Sequence, residues 1–323
     1  MRKLLFGVIC FLASLLSSAA ETSVNPDTVS VGIYITSIHD VEFRQKEFSA
    51  NLWLWLKYKR KEFDFTKNLE IPGAKTFEQS YTTIDTLEDG TVYILTKLQC
   101  LMKGNWQTNQ FPFDRQRLTF SIENSMFDAS DLVFSLDTLG QHYGKYFLMG
   151  WEKDSFNITS ELKTYETGFG DPELDKPQAV YSTFKVVIVI HRDSWQLFLK
   201  LFLGMYISFL ISQVCFSINP ENSDSRLTLA VGSIFAVVGN KYVIDSVLPE
   251  SNSFTLVDIL HGITLIYILF VIASTVYTLV LVKSGQLERA KKHNRITGWI
   301  LFSVYAILNV YFISNSYTSI VTG

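Results

Sequence analysis

Between Pro220 and Pro249, the residues Asp224, Thr228, Gly232 (or Val231), Phe235, Gly239, Tyr242 and Ser246 recur at intervals of three and four. Steps of that size share one face of a helix. Along the face the chemistry runs acidic, hydroxyl, small, aromatic, small, aromatic, hydroxyl. A carboxylate at one mouth of a water-filled path attracts cations, and an apolar constriction in the middle can shut the path by dewetting. At ~1.5 Å per residue, Asp224 to Ser246 covers about 33 Å, the thickness of a hydrocarbon core. A helix facing lipid all round should be almost uniformly apolar. This one also carries Arg226, Lys241 and Asp245. The stretch therefore reads as a pore wall; the alternative is a helix buried in a bundle for packing alone.

Such a helix needs neighbours, and the chain supplies them. Of the 323 residues, 201–218, 259–282 and 296–313 are apolar runs long enough to cross a bilayer. With the pore candidate that makes four spans, expected as helices over 195–218, 224–247, 254–282 and 296–317 of a membrane domain, 195–323. The segment 283–295 holds Lys283, Arg289, Lys291, Lys292 and Arg295 against a lone Glu288. By the positive-inside rule it is cytoplasmic. An even number of crossings then puts the N-terminal part outside. Residues 1–20 agree independently: Arg2 and Lys3, an apolar run, then Ser-Ser-Ala-Ala read as a signal peptide. His261, near the outer end of the third span, reads as a polar contact among helices.

The exported part, 21–194, is written in strand code. Runs such as VSVGIYITSI, NLWLWLKY, TVYILTKLQCLM, RLTFSIE, DLVFSL and YSTFKVVIVIH are β-branched and aromatic, with turn-prone stretches between them. They predict an all-β, immunoglobulin-like antiparallel sandwich whose last strand feeds directly into the first membrane helix. After leader cleavage only Cys100 and Cys215 remain, and Cys215 falls in an apolar run, so no disulfide is expected. The net charge of −3 argues against a nucleic-acid partner. No HExxH, GxSxG, paired cysteines or Gly-rich phosphate loop stands out, which argues against an enzyme. No cofactor is expected, and the sequence shows no metal site.

Taken in order, these residues resemble the pentameric ligand-gated ion channels (the Cys-loop receptor superfamily), in their compact prokaryotic form. FPFDRQ at 111–116 looks like the tip of that family's signature loop. The positions that a disulfide bridges in animal members fall on Gly104 and Leu118, so the bridge is absent. RLTLAVGSIFAVV followed by VLP resembles the pore helix and its outer loop.

The resemblance implies a homopentamer in a lipid bilayer, opened by a small-molecule agonist bound between neighbouring extracellular domains. It puts Asp224, with Glu221 and Thr228, at a cation-selective mouth for monovalent cations, and Phe235, Gly239 and Tyr242 at the gate. Arg226 falls where relatives carry a basic residue turned away from the water. Trp53 (or Trp55) would lie on one side of the agonist site. Phe77, Asp137, Phe169 and Tyr181 would lie on the other, with the hairpin 166–181 closing over it. Aromatic faces near a carboxylate suit an amine. Coupling to the membrane would run through the stretch 42–47 from Glu42, the tip residues Phe111, Pro112, Phe113 and Asp114, Arg192, and the loop 249–252 from Pro249. Proton gating of the same fold, or a membrane-anchored receptor that conducts nothing, are the competing functions.

Overall fold

A computed structural model describes residues 25–148, 150–170, 178–248 and 254–322. The predicted leader and Pro249 lie outside them. The strand runs form β1 (Asp27–Glu42), β2 (Glu47–Tyr58), β3 (Leu69–Glu70), β4 (Ala74–Thr86), β5 (Val92–Lys103), β6 (Gln116–Asn124), β7 (Leu132–Leu136), β8 (Glu152–Tyr165) and β9 (Ala179–His191). They make two sheets, ordered β4-β5-β2-β1-β7 and β3-β6-β9-β8. Every pairing is antiparallel except β1 with β7.

Period-two alternation decides what lies inside. On β2, Phe48, Ala50, Leu52, Leu54 and Leu56 turn inward; on β9, Phe184, Val186, Ile188 and Ile190 do the same. They meet in one apolar core between the sheets. Each such aliphatic or aromatic side chain contributes roughly 1.5–3 kcal/mol by leaving water. Cys100 joins this core, and Cys215 is buried among the helices; both are free thiols. Burial pushes the Cys100 thiol up to about 12.

Two long strands, β4 and β8, lie outside the expected runs. Both are polar, mostly exposed edge strands. An edge strand with little inward surface has no apolar alternation to display.

The membrane half is α1 (Ser194–Val214), α2 (Ser223–Asp245), α3 (Leu256–Lys283) and α4 (Leu287–Thr322). All four are long and apolar enough to span a bilayer. β9 ends at His191 and α1 begins at Ser194, capped by the Asp193 side chain, which accepts the Gln196 N–H at 3.5 Å. α3 opens with a capping box: Thr255 Oγ1 accepts from Asp258 N at 3.2 Å, and Asp258 accepts from Thr255 N at 2.9 Å. α4 starts at Leu287 rather than at 296, because the basic segment is itself helical. Lys, Arg, Glu and Ala are good helix formers, and Ala290 packs inward. α1 stops short of 218; turns follow, and Pro220 lacks the N–H that a continued helix would need.

A second core fills the helical half, and it includes Phe111 and Phe113 from the sandwich. The loop between β5 and β6 thus packs its tip into the helical half.

Candidate functional site

The spacing rule sorts α2 into two faces. Arg226, Ala230, Ser233, Val237 and Ile244 are buried against the other helices. Half a turn away, Asp224, Thr228, Val231, Gly232, Phe235, Gly239, Tyr242 and Ser246 are all exposed. Phe235 is 73% exposed and Tyr242 77%. A Cβ built on Gly232 or Gly239 would meet nothing within 4 Å. This chain alone leaves the whole stripe uncovered, although it contains two large aromatic rings. Thr228 bends its hydroxyl back to the Asp224 carbonyl at 2.9 Å, and Glu221 accepts a hydrogen bond from Asn219 at 3.1 Å.

The buried face is pinned by polar contacts. At the inner end the Arg226 guanidinium, wholly buried, donates to the Asn294 side-chain oxygen on α4. Asn294 in turn donates to the Phe216 carbonyl at 2.5 Å, so one side chain ties together the end of α1, the base of α2 and α4. Higher up, Asn240 donates to the Leu201 carbonyl of α1 at 3.0 Å, and its oxygen lies 3.1 Å from His261 on α3. At the outer end Lys241 bridges Asp245 at 2.6 Å and Asp258 at 2.8 Å.

The sandwich meets the helices around Arg192. Its guanidinium sits over Trp151 at 4.0 Å, Phe43 at 4.6 Å and Phe111 at 5.4 Å. Asp114 lies 3.7 Å away and is almost fully buried. Burial pushes the Asp114 carboxyl up, against the pull of Arg192 and of the Gln116 amide that donates to it. Burial likewise pulls Arg192 down, opposed by Asp114.

The loop tip inserts into the membrane half. Phe113 packs on Trp195, Phe198 and Tyr317 at 5.1, 5.4 and 5.9 Å, and the Phe111–Pro112 peptide beside it is cis. The Asn109 carbonyl accepts the Leu256 N–H of α3 at 2.9 Å. Arg44, in the turn after β1, donates to the Ser246 carbonyl at the end of α2 at 3.3 Å. Glu42 is exposed, and its carbonyl accepts the Trp106 indole N–H at 3.1 Å. Sequence reasoning named Asp114, Arg192, the tip and the stretch 42–47 that holds Phe43 and Arg44, but it missed Trp151. The signal for Trp151 was only that it stands just before β8.

The residues assigned to the agonist site divide between the sheets. Phe169 and Tyr181 flank the β8–β9 hairpin and join Tyr165 in a three-ring cluster, with centroids 5.5 to 6.3 Å apart. Residues 171–177, at the middle of that hairpin, lie outside the described residues. Beneath the cluster Glu123 is buried and accepts hydroxyl hydrogen bonds from Thr183 at 2.7 Å and Tyr165 at 2.8 Å, with Lys163 at 3.6 Å.

Trp53, Trp55 and Phe77 belong to the other sheet. Trp53 meets Tyr81 edge-on at 5.9 Å. Phe77 borders a cleft of about 460 Å³ beside Asn51 and Gln99. Trp55 lies flat over Gly32, where a Cβ would stand 2.3 Å from its ring, so only glycine allows that approach. Its indole N–H donates to Asp137 at 3.0 Å, and Lys57 donates to the same oxygen at 3.1 Å. Burial opposes it, but these two donors hold the Asp137 carboxyl below the usual range. Asp137 is therefore engaged within its own chain.

Among the described residues, no group of three or more His, Cys, Asp or Glu side chains could hold a metal ion. No protein-family model matches the chain. Two curated relatives do. One, a proton-gated ion channel of Gloeobacter violaceus, is 23% identical over 308 residues, covering 88% of this chain and 82% of the relative. The other, the gamma-aminobutyric acid receptor subunit theta of Mus musculus, is 20% identical over 319 residues. That match takes in 88% of this chain but 48% of the mouse protein, about half its length. The relatives are a channel and a receptor subunit, not enzymes. The matched span takes in both the β-sandwich and the four helices long and apolar enough to cross a membrane.

Proposed function

We infer that this chain, a multi-pass membrane protein of the ligand-gated channel kind and similar to the pentameric superfamily, forms a homopentameric cation channel with α2 lining the path. One observation carries the reading: the polar-to-aromatic stripe of α2 is uncovered along its whole length, while the opposite face is packed. Five copies about an axis would cover that stripe with water and with each other. Asp224 would form the cation-attracting ring, helped by Glu221 and Thr228, and Phe235, Gly239 and Tyr242 the constriction.

A small ligand, an amine on the chemistry of the rings, would bind between neighbouring sandwiches. The separation of Trp53 from Phe169 and Tyr181 onto different sheets supports a site completed by two subunits. The sandwich would then move α2 through the Arg192 junction, the Arg44–Ser246 contact and the outer loop at Pro249.

Proton gating is a second reading. It is favoured by the name of the Gloeobacter relative and by His191, which stands 2.8 Å from Asp154 and 3.5 Å from Glu152 at the end of β9.

Voltage-clamp recording from cells displaying the protein, with pulses of primary amines and separate acid steps, tests the proposal. An evoked current reversing near the sodium potential in asymmetric sodium chloride is expected, and the effective stimulus separates the two gating readings. Phe235→Ala should raise the unstimulated leak well above that of the parent, because it removes a wholly apolar ring from the constriction. No current from the parent, and no leak from Phe235→Ala displayed at the surface, would leave a non-conducting receptor.

A further inference from the structure

Beside the loop that joins β5 to β6 the sandwich holds a cleft of about 740 Å³, apart from both the α2 stripe and the aromatic hairpin. Gln107 and Asn109 of the loop form one wall, and Arg117 and Thr119 of β6 form the other. Asp114 and Gln116 line it between them. We propose that this cleft binds a small zwitterion of the ω-amino-acid class, with its ammonium group on Asp114 and its carboxylate on Arg117.

Its shape is held before any ligand arrives. β3 pairs with β6 only at Glu123 and Asn124, so the first half of β6 has no β3 partner on that edge. The buried Gln116 ties the edge to the loop instead. Its Oε1 accepts the Gln107 N–H at 3.0 Å, and its Nε2 donates to the Gln107 carbonyl at 2.9 Å. A side-chain amide thus does what a neighbouring strand's backbone would do. A wall fixed in this way has little ordering left to lose on binding.

Two lining groups of opposite sign are left unanswered. Arg115, the third charged side chain of the cleft, is met by Asp154 of β8 at 3.0 Å. Asp114 is 2% exposed. Its Oδ2 takes the Gln116 amide and stands 3.7 Å from Arg192, while its Oδ1 has no hydrogen-bond partner among the described residues. A buried acceptor without a donor is unfavourable until something supplies one. Arg117 is exposed and has no ion pair among the described residues.

Those two groups choose the ligand. A simple anion would answer Arg117 alone, and a simple amine Asp114 alone; a molecule carrying both charges answers both. Asp114 and Arg117 are three residues apart, at most about 11 Å between Cα atoms. One is buried and the other exposed, so a ligand reaching both must pass the edge of β6. An α-amino acid carries its two charges on one carbon and is too short for that path. A chain of a few methylenes between ammonium and carboxylate covers it.

The cleft also touches the membrane half. The carbonyl of Asn109, in the loop wall, accepts the Leu256 N–H that opens α3. Asp114 is the ionic partner of Arg192. A ligand seated here therefore bears on both the start of α3 and the joint above α1.

The test is calorimetric titration of the detergent-solubilised full chain with unbranched ω-amino acids of three to six carbons, beside the matched alkylamines and alkanoates. The best amino acid should bind about tenfold tighter than either matched fragment, since each fragment forfeits one charge-assisted contact. Arg117→Gln should weaken its binding about tenfold, and Arg117→Lys should restore part of the loss. Lys153→Gln removes a like charge from β8, outside the cleft, and should leave the affinity unchanged. Tyr181→Ala, in the aromatic hairpin, should also leave it unchanged, which separates this cleft from the proposed agonist site. The readout is binding, so it is independent of whether the chain conducts. Four results would each overturn the assignment: no heat of binding at millimolar ligand, an alkanoate binding as tightly as the amino acid, equal loss in Arg117→Gln and Lys153→Gln, or loss in Tyr181→Ala with none in Arg117→Gln. The second would mark a plain anion site on Arg117, with Asp114 uninvolved.

Discussion

Arg192→Ala is expected to abolish gating and to lower the yield of assembled protein. Three aromatic rings from three separate segments surround this guanidinium, and Asp114, its one ionic partner among the described residues, is buried. Removing it leaves Asp114 uncompensated, which costs roughly 3–5 kcal/mol for a buried pair broken on one side. It also empties the centre of the joint between Phe43, Phe111, Trp151 and α1.

The pH dependence follows from the direction of the Asp114 shift. A carboxyl whose folded value lies above its unfolded value binds more protons when folded. Its contribution to stability therefore falls as pH rises through the folded value. Without Arg192 the carboxyl loses the attraction that opposed its burial and is raised further. The thermal midpoint of detergent-solubilised Arg192→Ala should consequently recover as pH is lowered, relative to the parent, and Asp114→Asn in the same background should remove that recovery. An Arg192→Ala protein with parental surface level and parental currents would refute the account of the joint.

Asp224→Lys has the second largest expected effect. In the proposed ring five carboxylates become five ammonium groups at the inner mouth, one turn below Thr228. For a tenfold sodium chloride gradient an ideally selective path reverses at about 59 mV. The parent should approach the sodium value, Asp224→Asn should move toward zero, and Asp224→Lys should cross zero toward the chloride value. Glu221→Gln should shift the reversal less, since its carboxylate lies outside the stripe and accepts from Asn219. An unchanged reversal potential in Asp224→Lys would place selectivity elsewhere.

The sandwich and the four helices were legible in the sequence wherever one face is buried. β2 and β9 alternate, and the spans are long apolar runs, so pattern and burial carry the same information. β4 and β8 were not legible, because as exposed edges they bury too little to show a period. The α2 stripe could be read from spacing alone: three- and four-residue steps place a face whatever covers it. The Arg192 box could not. Phe43, Phe111 and Trp151 are far apart in sequence, and only the packing of three loops on one cation brings them together. Asp137 shows the same limit. The resemblance put it among the agonist-site residues, and the fold engages it with Trp55 and Lys57. The Asn294 tie is also long-range, joining α4 to residues 68 and 78 positions away.

The central claim is that the uncovered face of α2 lines the conducting path. Single cysteines at Thr228, Gly232, Gly239 and Ser246 test it, with Ala230 and Val237 on the packed face as controls. The native thiols Cys100 and Cys215 are both buried, so background modification should be small. A charged methanethiosulfonate reagent applied during evoked current should block irreversibly at the stripe positions and leave the packed-face variants unaffected. Block at Ala230 or Val237 with none on the stripe would contradict the account.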